Sequence, residues 1–158
     1  MKPTKIWSLV SYAIGATVFG AVLSETLVMR GFTVPVSPVN LPVTIASIAV
    51  ALALLAIPMA RYRAALKDPK KPAKRVAPLY AVRVVALAKA SSLAGVLFAG
   101  WHAGVLIVQL TLPAITSSVL FSILGLVASL VTTAVALIVE NLFRVPPDSE
   151  EPVEGTPA

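Results

Sequence analysis

Residues 90–139 read ASSLAGVLFAGWHAGVLIVQLTLPAITSSVLFSILGLVASLVTTAVALIV, 50 positions with no formal charge when His102 is neutral. A bilayer hydrocarbon core of ~30 Å takes ~20 helical residues at ~1.5 Å each, so this stretch is long enough for two crossings and a turn of ~10 residues. Gln109-Leu-Thr-Leu-Pro113 supplies the turn. Pro113 has no backbone N–H and disfavours helix at Leu112, which predicts a third span ending near Val108 and a fourth starting near Ala114. Toward the N-terminus lie two more uncharged stretches, Ile6 to Ser24 with room to continue to Met29, and Val43 to Ala60, which stops at Arg61. The third span starts near Tyr80 to Val84. The predicted fold is an all-α integral membrane four-helix bundle on residues 1–144, with helices over about 6–29, 43–61, 80–108 and 114–143. Composition agrees: of 158 residues, 58% are hydrophobic and only 13% charged, and mean hydropathy is +0.90, too apolar for a soluble domain of this length.

The connecting segments set the orientation. Residues 31–42 carry Pro35, Pro38 and Pro42 at spacings of three and four, which suits an extended, polyproline-like link. Residues 61–83 hold Arg61, Arg63, Lys67, Lys70, Lys71, Lys74, Arg75 and Arg83 against the lone Asp68. After Arg144 an acidic, proline-rich tail, residues 145–158, has too little apolar surface to offset ordering entropy and is predicted to be disordered. That tail brings the net charge down to +6 from the +10 carried by Met1 to Arg144. Lys2, Lys5, the middle loop and Arg144 fall on one side of a four-span chain, and only Arg30 falls on the other. The positive-inside bias therefore predicts a multi-pass protein of the cell membrane with N-in/C-in topology, both termini cytoplasmic. Arg61, Arg63, Lys67, Lys70, Lys71, Lys74 and Arg75 then meet anionic lipid headgroups, at ~1 kcal/mol each near the surface, in preference to nucleic acid. Met1 to Ser24 has a basic start and an apolar core, but 19 apolar residues exceed the ~7 to 15 of a secretory signal, so the segment is expected to stay as a span.

Chemistry in such a chain concentrates at ionisable groups inside the spans, which are costly there and face the bundle or water. These are Glu25, Lys89, His102 and Glu140. Glu25 sits at the outer boundary near Arg30, as an interfacial carboxylate or a cation ligand at a vestibule. Lys89 is shallow enough to snorkel. A hairpin centred on Thr111 sets Lys89 opposite Thr132 and Thr133, and Arg83 opposite Glu140. On a helical wheel Ser91, Gly95, Ala99 and His102 share a sector expected to pack, while Leu97, Trp101 and Val105 form one expected to meet lipid. His102 is expected to be neutral and bonded to a carbonyl or hydroxyl, or else paired with Glu25 as a pH-sensitive switch. Ala16, Gly20 and Ser24 recur every fourth residue, and Gly100 and Gly104 have the small-xxx-small spacing. Both patterns permit close helix packing or dimerisation.

The chain has no cysteine and one histidine, which excludes disulfides, thiolate nucleophiles and Cys-ligated metals and argues against His-based sites. No P-loop, GxGxxG, HExxH or GxSxG motif occurs. No catalytic, cofactor or metal residue is assigned, and the chain is not expected to be an enzyme.

Met-Lys-Pro-Thr at the start, Ala81-Val-Arg83, Leu87-Ala-Lys-Ala-Ser91, Gly95, Ala99-Gly-Trp101, Gly104 and Glu140 with Arg144-Val-Pro-Pro147 together resemble an actinobacterial family of small membrane proteins of unknown function. The resemblance spans nearly the whole chain. It implies four transmembrane helices and genes often found beside those of folate biosynthesis, and it implies no activity. The functional expectation is a non-enzymatic partner, assembly factor or scaffold, acting on a membrane protein or a second copy through its small-residue faces. The alternative is an oligomeric transporter or channel subunit, with Lys89, His102 and Glu25 lining a path.

Overall fold

A computed structural model of the chain describes residues 4–66, 76–112 and 118–143. They form four helices, α1 (Ile6–Met29), α2 (Asn40–Leu66), α3 (Pro78–Thr111) and α4 (Ser118–Leu142), and no strand occurs among the described residues. Each helix is long and apolar enough to cross a membrane. At ~1.5 Å per residue they run ~36, ~40, ~51 and ~37 Å, all exceeding ~30 Å of hydrocarbon.

Prolines set several of the boundaries. Ala77 is extended (φ −60°, ψ 132°) and Pro78 opens α3 at a position where its missing N–H costs no helical bond. At the other end Leu112 is extended (φ −78°, ψ 145°), the conformation that a following proline favours. The helix thus runs to Thr111, three residues past the expected end at Val108. α2 also exceeds its expected range of 43–61. It begins at Asn40, taking Pro42 into its first turn, and continues through Ala64-Ala65-Leu66, so Arg61 and Arg63 lie on helix and not in a loop. The link between α1 and α2 leaves the helix through Gly31, whose φ of +81° suits a residue without Cβ. Positions 67–75, 113–117 and 144–158, which hold most of the basic loop, the Pro113 turn and the acidic tail, lie outside the described residues.

α3 and α4 form the centre. They pack as an antiparallel hairpin, α1 packs on α3 and, among the described residues, on no other helix, and α2 packs mainly on α4 with a smaller contact to α3. At the end of the bundle that carries Arg61, Arg63 and Arg83, Leu52 and Ala56 of α2, Val84 and Ala88 of α3, and Ala136, Val139 and Phe143 form one apolar cluster. Tyr80 donates from its hydroxyl to the Leu55 carbonyl at 2.7 Å, beside the Leu54 carbonyl that Pro58 leaves without a helical donor. At the opposite end Val34 of the link covers Val105 and Val108. Val105, expected to meet lipid, is only 2% exposed because the link folds over it. Trp101 is half-buried on α1, its ring 6.1 Å from that of Phe19, whereas Leu97 does face outward. Apolar side chains cover the outside, among them Ile14, Val18 and Val22 on α1, as a lipid-solvated surface requires.

Candidate functional site

Two polar arrangements and one close helix contact use most of the residues singled out in the sequence. The first joins three elements near the start of α1. Glu140, 5% exposed at the end of α4, accepts hydrogen bonds from the backbone N–H of Thr4 at 2.8 Å and from the Thr4 hydroxyl. The Lys89 ammonium of α3 lies 3.7 Å from the same carboxylate and is 27% exposed. The carboxylate therefore ties the segment preceding α1 to α4 and is balanced by a cation from α3. The expected pairing of Arg83 with Glu140 is not the one found, and Arg83 is exposed. Nor does Lys89 face the hydroxyls of Thr132 and Thr133. Thr132 donates to the Ile45 carbonyl of α2 at 3.0 Å and to the Ala128 carbonyl at 2.8 Å, while Thr133 donates to the Ser129 carbonyl at 2.9 Å. The hairpin's midpoint lies about three residues beyond Thr111, because α3 continues to that residue. A shift of the midpoint by that much moves each partner on α4 by about twice as far.

His102 forms the second arrangement. It is fully buried in the C-terminal half of α3, with Nδ1 2.7 Å from the Phe98 carbonyl and Nε2 2.8 Å from the Ser37 hydroxyl of the link. A carbonyl can only accept, so Nδ1 carries the proton, and a neutral ring then accepts from Ser37 at Nε2. The ring needs the space left by Gly125 on α4, since a Cβ there would overlap Nε2 and Cδ2 and come within 2.9 Å of Cε1. Glu25 is exposed and takes no part in these bonds.

The close contact is between α1 and α3, which run parallel. A Cβ on Gly100 would meet the Ala13 carbonyl at 2.5 Å and the Ala16 Cβ at 2.7 Å; one on Gly104 would overlap the Thr17 carbonyl and reach the Ala21 nitrogen at 2.7 Å. Gly20 faces the Trp101 carbonyl at 2.8 Å in the same sense. Ala16 and Gly20 thus supply one side and Gly100 and Gly104 the other, with Ser24 buried one turn further along α1, so this small-xxx-small pair is used within the chain. On the far side of α3, a Cβ on Gly95 would overlap the Thr133 hydroxyl, and Ala99 is buried.

Between α2 and α3 a crevice of about 200 Å³ remains, lined by Ile45, Ile48, Ala90, Ser91, Ala94, Gly95, Phe98 and Thr132. Ser91 was picked from the sequence, whereas Ala90 and Ala94 were not. Sequence reasoning also passed over Gln109 and Ser122, which are buried with polar atoms lacking a hydrogen-bond partner. A search confined to ionisable groups skips a neutral amide. The sequence also placed Gln109 in the turn after a span ending near Val108, whereas α3 runs to Thr111 and takes it into the helix. Among the described residues no three His, Cys, Asp or Glu side chains converge as a metal cluster.

The family model described as "Protein of unknown function (DUF3180)" matches residues 9–147, and the chain belongs to that family. No curated protein and no solved structure matches the chain.

Proposed function

We propose that this member of the DUF3180 family is a non-enzymatic, multi-pass protein of the cell membrane that holds a transmembrane helix of a partner protein in the crevice between α2 and α3. The observation that supports this is the crevice's lining. Ala90, Ser91, Ala94 and Gly95 present almost no side-chain bulk along two turns of α3, between the larger Ile45, Ile48 and Phe98. In lipid, helices associate through van der Waals packing and hydrogen bonds, and small residues let a neighbouring backbone come close. Three of the four ionisable groups of the spans have local partners, Glu140 with Thr4 and Lys89, and His102 with Phe98 and Ser37, which suits a structural role for them, while Glu25 is exposed near the end of α1. Arg61, Arg63 and Arg83 lie at the end that we place in the cytoplasm, with both termini, against anionic headgroups. The actinobacterial source and folate-gene neighbourhood implied by the resemblance belong to this proposal and add no role for any residue.

Mild-detergent co-purification from the native membrane tests the reading, comparing the wild type with Ala90→Leu/Ala94→Leu. Both side chains are exposed in the crevice, so the double variant should fold, keep its monomer melting temperature and lose a specific membrane partner. A partner retained at wild-type yield, or recovery of this chain alone from both, sinks the proposal. Proteoliposomes in which Lys89→Ala and His102→Ala abolish a solute flux would replace it with the transporter reading, in which Lys89, His102 and Glu25 line the path.

A further inference from the structure

A cavity of about 490 Å³ lies at the outer end of the bundle, between the last turns of α1, the extended link, the end of α3 and the first turn of α4. Val28, Phe32, Val34, Val36, Leu112 and Val119 make most of its wall apolar. Thr33, Ser118 and Gln109 interrupt that wall, and of the three Gln109 is the buried one. It lines the cavity, is 3% exposed, and neither its amide oxygen nor its amide nitrogen has a hydrogen-bond partner. Leaving a buried polar group unmet is destabilising, and an apolar side chain of similar shape would avoid that cost. The Ser24 hydroxyl of α1 and the Ser122 hydroxyl of α4, also in the outer half, are buried and unmet as well. The volume falls in the ~300–1,000 Å³ range of small-ligand pockets, which are mostly apolar with a few placed polar groups.

We infer that this cavity binds a small amphiphile with an apolar body and an uncharged amide or lactam edge, and that Gln109 recognises that edge. A side-chain amide offers an acceptor and a donor side by side, and only a ligand edge with a donor beside an acceptor meets both at once. Among the described residues no charged side chain lines the cavity, so an ionised headgroup would enter without a counter-charge there. The site is separate from the α2–α3 crevice and does not depend on the partner proposal.

The test uses the full chain in proteoliposomes and a diazirine-bearing aliphatic primary amide, with its methyl ester as the control that can accept but not donate. After irradiation, cross-links are mapped by mass spectrometry. The amide is expected to label Val28, Phe32, Leu112 or Val119 about tenfold more than the ester, the factor that corresponds to ~1.4 kcal/mol. Gln109→Leu should bring amide labelling down to the ester's level. Val119→Trp, which fills the cavity and leaves Gln109 in place, should abolish both, with melting curves showing that each variant is folded. Excess unlabelled decanamide should displace the probe from the wild type while methyl decanoate does not, a comparison that needs no variant. Equal labelling by amide and ester, labelling unchanged in Gln109→Leu, or cross-links spread over Ile14, Val18 and Val22 would overturn the inference.

Discussion

The burial of His102 depends on an atom that Gly125 lacks. The imidazole reaches its two partners because α4 has no Cβ at that height, so Gly125→Ala forces the ring away from Ser37 or pushes the helices apart. Overpacking of this kind costs about 1–3 kcal/mol, while Ala in place of Gly gains up to ~1 kcal/mol of helix propensity. The expected outcome is a net loss in the wild-type background and a neutral or stabilising effect in His102→Ala. A coupling energy near zero in that double-mutant cycle, read from reversible unfolding in detergent, rules the account out. At the other end of the bundle, Glu140→Leu removes the acceptor for both Thr4 bonds. Hydrogen bonds to a charged group contribute ~1.5–3 kcal/mol, so exchange at the Thr4 amide should rise roughly 10- to 100-fold. Lys89→Met leaves the Thr4 bonds in place and should have the smaller effect. Equal acceleration in the two variants would assign the tie to the ion pair.

At the scale of helices, the α1–α3 contact is the most demanding, because backbone meets backbone there. Gly104→Ala overpacks this contact, which costs about 1–3 kcal/mol or more, and should detach α1, whose only helix neighbour among the described residues is α3. Gly15, on the same helix with nothing within 4 Å of its Cβ position, is the control, and Gly15→Ala should be neutral or slightly stabilising. Rapid protease cleavage within residues 1–30 of Gly104→Ala, but not of Gly15→Ala, is the expected pattern. Small-residue spacing marked both faces of this contact as packing surfaces before any coordinates, without pairing them, as uncharged length marked the four helices. Register was not legible to the same degree. Pro113 marks where α3 must stop, but not whether the last turn before it is helical, and those three residues decide that Glu140 meets Lys89 and not Arg83. Thr4 carried no signal of this pairing, since its bond to Glu140 joins residues 136 positions apart through folding alone. Val105 was misjudged because a wheel sees one helix, and the Val34 segment that covers it comes from the link.

For the molecule as a whole, the distribution of charge fixes a testable orientation. Lys5 precedes α1, Arg61 and Arg63 lie near the end of α2, and Arg83 lies near the start of α3, all at the end of the bundle where Thr4 meets Glu140. Arg30 is at the other end, ~36 Å away along α1, a distance that matches the hydrocarbon core plus part of its interface. Each basic residue near a span end favours the cytoplasmic side, and here they act together. The chain has no native cysteine, so single substitutions report sidedness without background. Val39→Cys, Leu66→Cys and Ala77→Cys replace exposed side chains at opposite ends. A membrane-impermeant maleimide applied to intact cells should label Val39→Cys at once and the other two only after permeabilisation. Reversed labelling inverts the topology and puts the Gln109 cavity within reach of cytoplasmic ligands. Labelling of all three from one side breaks the four-span arrangement itself. The expected pattern opens that cavity toward the outside and leaves the Lys89–Glu140 pair at the cytoplasmic surface, where an ammonium 27% exposed can remain hydrated.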